Sequence, residues 1–109
     1  MRVHLIKWKS VDEFVVKHAQ SKISFEGFKE GIKRADWNTI NDVKQTFGSA
    51  DMIDNNRLVF NIGGNNFRLI CSYWFGPNMV HLYVKWIGTH EDYTKLCKQN
   101  LQYSIDNFN

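Results

Sequence analysis

The stretch RLVFNIGGNNFRLICSYWFGPNMVHLYVKWI, residues 57–87, decides the fold. It breaks into three runs rich in Val, Ile, Phe, Tyr and Trp: Arg57–Ile62, Phe67–Phe75 and Met79–Ile87. Such side chains suit a pleated, half-buried surface, so each run is predicted as a strand. Gly63-Gly64-Asn65-Asn66 joins the first pair and Gly76-Pro77-Asn78 the second, and both joints have hairpin length and turn chemistry. The four-residue loop sets Ile62 opposite Phe67, hence Asn61 opposite Arg68. Pro77, at its favoured place in a turn, sets Gly76 opposite Met79, hence Ile70 opposite Lys85.

That register sorts the side chains onto two faces. One face reads Leu58, Phe60, Ile62, Phe67, Leu69, Cys71, Tyr73, Val80, Leu82, Val84 and Trp86, and suits a covering layer of helices. The other carries Arg57, Asn61, Arg68, Ser72, His81, Tyr83 and Lys85, with Val59, Ile70, Trp74, Met79 and Ile87 between them. A slip of one residue in the second hairpin would carry His81, Tyr83 and Lys85 into the core, so burial favours the first register.

Working outward, Val3–Trp8 is a short β-type run. Ser10 and Glu13 have capping-box spacing, and Val11, Phe14, Val15 and His18 recur at helical intervals, which predicts a helix over 11–19. Phe25, Phe28, Ile32 and Ala35 mark one face of a second helix, opposite a stripe of Lys and Glu. Gly27 and Gly31 weaken it, each by about 1 kcal/mol relative to Ala. Thr39, then Ile40, Val43 and Phe47, with Gly48 as a stop, predict a third short helix. After Gly88, Thr89 stands as the N-cap of a last helix running to about Lys98. The 109 residues are predicted as one domain, 1–109, of the α+β class, with helices on one side of a mostly antiparallel sheet.

Composition narrows the class. Aromatic residues make up 15% of the chain and Pro and Gly are few, which excludes a disordered or linker sequence. No run approaches the 18 or so apolar residues of a membrane span, and Met1–Lys9, with Arg2, His4, Lys7 and Lys9 spaced through it, lacks the continuous apolar region of a signal peptide. Cys71 and Cys97 show no motif spacing and read as reduced, buried thiols of a cytoplasmic protein. The net charge is only +3. Its distribution says more: between Asn55 and His90 stand Arg57, Arg68 and Lys85 and no Asp or Glu. Cations interleaved with rings and amides on a sheet suit single-stranded nucleic acid, through phosphate pairing and base stacking. An ordinary solvated sheet face fits the same pattern.

The chemical motifs are few. His4, His18, His81 and His90 lack ligand spacing and there is no Cys-x-x-Cys, so no metal site is expected. Cys71 falls on the core face, which argues against a Cys-His nucleophile. Gly63-Gly64 leads into a strand, so it reads as a turn and not a phosphate loop. His90 and Tyr93 share one face of the last helix's first turn. There the helix dipole favours a neutral imidazole, able to accept a proton. A surface His beside a core Tyr accounts for the pair equally simply.

Taken together, the run Arg57–Ile70 with its Val-Phe-Asn-Ile-Gly-Gly-Asn phrase, the run Trp86–Tyr93, Ala35-Asp36-Trp37 and Thr46–Asp51 resemble the HigB family of RelE-like toxins. The likeness covers nearly the whole chain and implies a RelE-like fold. It implies the toxic half of a type II toxin–antitoxin pair, a cytoplasmic endoribonuclease that cleaves translated mRNA in the ribosomal A site. It implies a metal-free and cofactor-free reaction, in which a 2′-hydroxyl attacks the adjacent phosphate and leaves a 2′,3′-cyclic phosphate. It also implies a helix-turn-helix antitoxin of the HigA kind as partner, and no membrane. By the same resemblance Arg68 contacts phosphate, His90 takes the place of a catalytic arginine of RelE, and Tyr93 stacks on the substrate or aids proton transfer. Arg57 and Lys85, with Asn61 and His81 on the same face, are the expected phosphate and RNA contacts. The paired lysines that precede the hairpin in RelE are absent here, where only Arg57 stands, so the resemblance assigns no general base.

A second reading belongs to another class: a nucleic-acid- or protein-binding module without catalysis, such as a degenerate toxin that only binds its antitoxin. A pure binder has no chemical need of Arg68, His90 and Tyr93 together.

Overall fold

A computed structural model describes residues 1–108. Five strands form one sheet in the order β1-β5-β4-β3-β2: β1 Arg2–Ile6, β2 Asp51–Ile53, β3 Arg57–Ile62, β4 Phe67–Phe75 and β5 Met79–Thr89. Only β1 pairs parallel, with β5; the other pairs are antiparallel. The helices are α1 Trp8–Lys17, α2 Lys22–Arg34, α3 Val43–Thr46 and α4 His90–Lys98. None of them, among the described residues, is long and apolar enough to cross a membrane.

The α+β expectation holds, and so do the three strands of residues 57–87 and the last helix. Val11 of α1 and Phe25, Phe28 and Ile32 of α2 pack with Leu58, Phe60, Leu69, Cys71, Leu82 and Val84 into the main core. Each such side chain stabilises the fold by about 1.5–3 kcal/mol when fully buried. Gly31, a weak helix former, is explained by the neighbour it admits: a Cβ there would lie 2.8 Å from the Phe47 ring. Helix α4 packs on the opposite face of the sheet, where Leu96 meets Val59, Ile70 and Trp86. Residues 101–107 continue across that face, with Ile105 against the same cluster, and Phe108 reaches the main core.

Three local expectations change. The first helix runs from Trp8 to Lys17, not from 11 to 19; Lys7 takes φ 81° as the chain turns off β1, and no side chain caps the helix. Trp8 is thereby set against Phe28, at 6.2 Å between rings, and that contact outweighs the capping-box pattern. Strand β2 was not expected, since its three residues carry no periodicity to read. The second hairpin follows the predicted register from Phe75↔Val80 to Cys71↔Val84, and then a bulge on β5 shifts the pairing so that Ile70 faces Trp86. Lys85 is the extra residue. Beyond it the alternation inverts, so Trp86 leaves the expected core face for the α4 side, and Ile87 packs on the main core instead. Gly88 permits this, because the Trp86 indole lies where a Cβ at Gly88 would be, only 2.4 Å from ring carbon.

Candidate active site

The loop after β3 and the start of α4 are tied together. Arg68 pairs with Asn61 on β3 and with Gly88 on β5. Thr89 caps α4, its hydroxyl accepting from the Asp92 backbone N–H at 3.1 Å. The His90 backbone N–H donates to the Asn66 carbonyl of the hairpin loop at 2.9 Å. A cap of this kind is worth about 1 kcal/mol and also fixes where the helix begins. His90 and Tyr93 therefore have set positions relative to β4.

Arg68 is only 6% exposed and sits at the centre of the group. Its Nη1 donates to the Phe67 carbonyl at 3.1 Å, and its Nη2 donates to Asn65 Oδ1. The same Nη2 lies 3.0 Å from His90 Nδ1. A guanidinium only donates, so Nδ1 is the accepting nitrogen of that contact and the ring proton lies on Nε2. The Tyr93 ring faces the guanidinium, 5.8 Å from ring centre to Cζ, and Trp86 packs against that ring at 6.1 Å with the planes tilted by 48°. Burial first, then the Cys97 thiol and the Asp51 carboxylate, push the Tyr93 phenol above its ordinary range; Arg68 opposes them. The phenol therefore keeps its proton at neutral pH and is a donor, not a base.

These groups open onto a hollow of about 460 Å³, completed by Asn61, Asp51, Thr94, Cys97 and Lys98. The hollow offers an anchored cation, an exposed imidazole and a protonated phenol side by side. That set can hold an anion while one proton is taken and another given. A smaller groove of about 220 Å³ between α1 and α2 is lined by Trp8, Val11, Val15 and Phe25 with Asp12, Glu26, Lys22 and Lys29, and none of its lining residues is a His, Tyr or Arg.

Of the seven residues singled out in the sequence, the structure brings four to this hollow: Arg68, His90, Tyr93 and Asn61. Arg57 is elsewhere and 5% exposed; its Nη1 donates to the carbonyls of Gln102 at 3.2 Å and Ile105 at 2.7 Å. Lys85 pairs with Asp106 at 3.0 Å, and its carbonyl accepts from the Asn107 N–H at 2.9 Å. Both cations thus hold the C-terminal segment to the sheet. The expected contacts of Arg57 and Lys85 with RNA meet a face already covered by residues 101–107. His81 lies further along the sheet, stacked between Trp74 and Tyr83. The face is also less free of acid than strands 57–89 alone suggest, since β2 brings Asp51 to it and the tail brings Asp106.

Sequence reasoning missed Asn65, Asp51, Thr94, Cys97 and Lys98. Three of these were readable, because 94, 97 and 98 follow 90 and 93 at helical spacing on one face. Asp51 carries no such signal, as it reaches the site only through the pairing of Asp51 with Val59.

A family model described as HigB_toxin, RelE-like toxic component of a toxin-antitoxin system, matches residues 21–96. That span takes in α2, the whole sheet except β1, and α4 as far as Leu96. No curated protein matches the chain.

Proposed function

Because this chain belongs to the HigB family, the RelE-like toxic components of toxin–antitoxin systems, we propose that it is an endoribonuclease that cleaves mRNA on the ribosome. The reading rests on one observation above all. Arg68 touches both His90 and Tyr93, and all three line a single hollow, held by the hairpin loop and the helix cap.

The reaction needs a base, an acid and a cation at the phosphate. A phosphate entering the hollow competes with His90 for the Nη2 donor of Arg68. When Nη2 turns to the phosphate oxygen, His90 Nδ1 is left with a free lone pair. That nitrogen takes the proton of the 2′-hydroxyl, whose oxygen attacks phosphorus. The bond from phosphorus to the 5′ oxygen breaks on the opposite side, and the leaving oxygen takes the phenolic proton of Tyr93. The products are a 2′,3′-cyclic phosphate and a 5′-hydroxyl end, and solvent exchange restores both protons. Substrate binding thus exposes the base only when phosphate is present. Lys98, on the rim, adds positive charge on the approach to the site. An antitoxin partner follows from the family; we assign it the helix-turn-helix, HigA-like type.

The test is induced expression without antitoxin, with mapping of mRNA 5′ ends. Growth arrest, with new 5′-hydroxyl ends confined to translated mRNAs, is the expected result. Intact mRNA and normal growth at confirmed expression would overturn the proposal in favour of a non-catalytic binder.

A further inference from the structure

Away from the hollow, the same face of the sheet carries a row of aromatic rings that the cleavage chemistry does not use. Trp74 of β4 and His81 of β5 are cross-strand partners and stack at 5.2 Å with planes 27° apart. His81 and Tyr83 follow each other on β5 at 6.3 Å and 19°. His4 of β1, paired with His81, meets it edge-on at 6.4 Å. Trp74 is 54% exposed, the most open of the large apolar side chains on the sheet. The row ends at the β1 edge, in a hollow of about 350 Å³ lined by Arg2, Val3, His4, Lys33 and Met79.

We propose that this row is a second, non-catalytic RNA-binding site, on which an unpaired base stacks against Trp74 while its phosphate lies towards Arg2. Two features favour RNA over a protein partner. Strands β1, β4 and β5, which build the row, carry no Asp or Glu. The edge hollow carries two cations; Lys33 shares its charge with Glu30 at 3.5 Å, whereas Arg2 forms no ion pair among the described residues. Exposed rings beside cations are the means by which proteins hold single strands without reading sequence. Trp74 lies six residues beyond Arg68 on the same strand and face, a distance of about 20 Å at the rise of an extended chain. The two sites can therefore engage separate parts of one RNA-rich surface, and their affinities then multiply. The RNA partner is taken from the cleavage reading, on which the proposal rests for that point alone.

The test uses hexa-adenylate as probe and follows tryptophan fluorescence in the Arg68→Ala background, which removes the phosphate contact of the first hollow. Quenching that saturates with hexa-adenylate and weakens with salt is expected. Adding Trp74→Ala is expected to remove the quenching and, read by fluorescence anisotropy of end-labelled hexa-adenylate, to lower the affinity about tenfold, as loss of one stacked base does, with only a small change in the thermal melt because half of the side chain is exposed. In the enzyme with Arg68 restored, Trp74→Ala should raise KM for programmed ribosomes and leave kcat alone. Equal hexa-adenylate affinity with and without Trp74 overturns the proposal. So does a Trp74→Ala variant that binds hexa-adenylate normally but no longer forms its antitoxin complex, since the row would then be a protein contact. Failure of the cleavage reading would look different: no mRNA is cut by any variant, while the quenching persists.

Discussion

Replacing Arg68 by Lys keeps the charge and removes the planar fork. The structure gives the guanidinium four partners at once: the Phe67 carbonyl, Asn65 Oδ1, His90 Nδ1 and the Tyr93 ring. An ammonium on a flexible stem can satisfy one of the hydrogen bonds but cannot span the rest. Two lost hydrogen bonds, at about 1 kcal/mol each before relaxation, lower stability by about 1–2 kcal/mol. For a domain of this size that is a fall in Tm of about 4–16 °C, which leaves the protein folded at 25 °C. The rate suffers more. A fixed donor aimed at a phosphate oxygen contributes about 3–4 kcal/mol at the transition state, so cleavage should fall about 10²–10³-fold. The assay is single-turnover cleavage of mRNA on programmed ribosomes at saturating toxin, with a thermal melt and ribosome co-sedimentation for the same preparation. A folded Arg68→Lys enzyme cutting within threefold of the wild-type rate would refute the assignment, because charge alone would then suffice.

Other outcomes follow from the same geometry. Tyr93→Phe should slow cleavage about 10²-fold in single-turnover assays if the phenol donates its proton, and Tyr93→Ala should be worse, since the Arg68 guanidinium also loses the ring beneath it. The phenol of Tyr93 is raised in the folded state, so the unfolded chain loses that proton first as pH rises above about 10, and stability falls there; denaturant melts from pH 9 to 11 should show a shallower fall for Tyr93→Phe. Gly88→Ala puts a methyl group into the Trp86 indole; expect a loss of about 1–3 kcal/mol by urea melt and reduced cleavage, as Trp86 moves away from Tyr93. Burial raises the Cys71 thiol, so a thiol reagent at pH 8 should modify only Cys97 in the native protein and both cysteines after unfolding.

The hairpin register at Asn61 and Arg68 and the cap at Thr89 were legible in the sequence because both are local. Loop length fixes which residues face each other across a hairpin, and an N-cap needs only its own next turn. His90 and Tyr93 were legible for the same reason, as helical spacing alone puts them on one face. What lay beyond reach depended on contacts far apart in sequence. The bulge at Lys85 exists because the Trp86 indole packs over Gly88, under a helix whose placement no strand pattern encodes. Arg57 and Lys85 read as free cations until the tail supplies Asp106, 21 residues beyond Lys85, and the carbonyls of Gln102 and Ile105, more than forty beyond Arg57. A buried guanidinium must have acceptors, and only the tertiary structure says whether they come from the chain itself or from a ligand. Residue types and local spacing thus determined the strands, the helix start and the chemical groups at hand. Packing across the sheet decided which cations stay open to substrate, since that depends on what the rest of the chain lays over them.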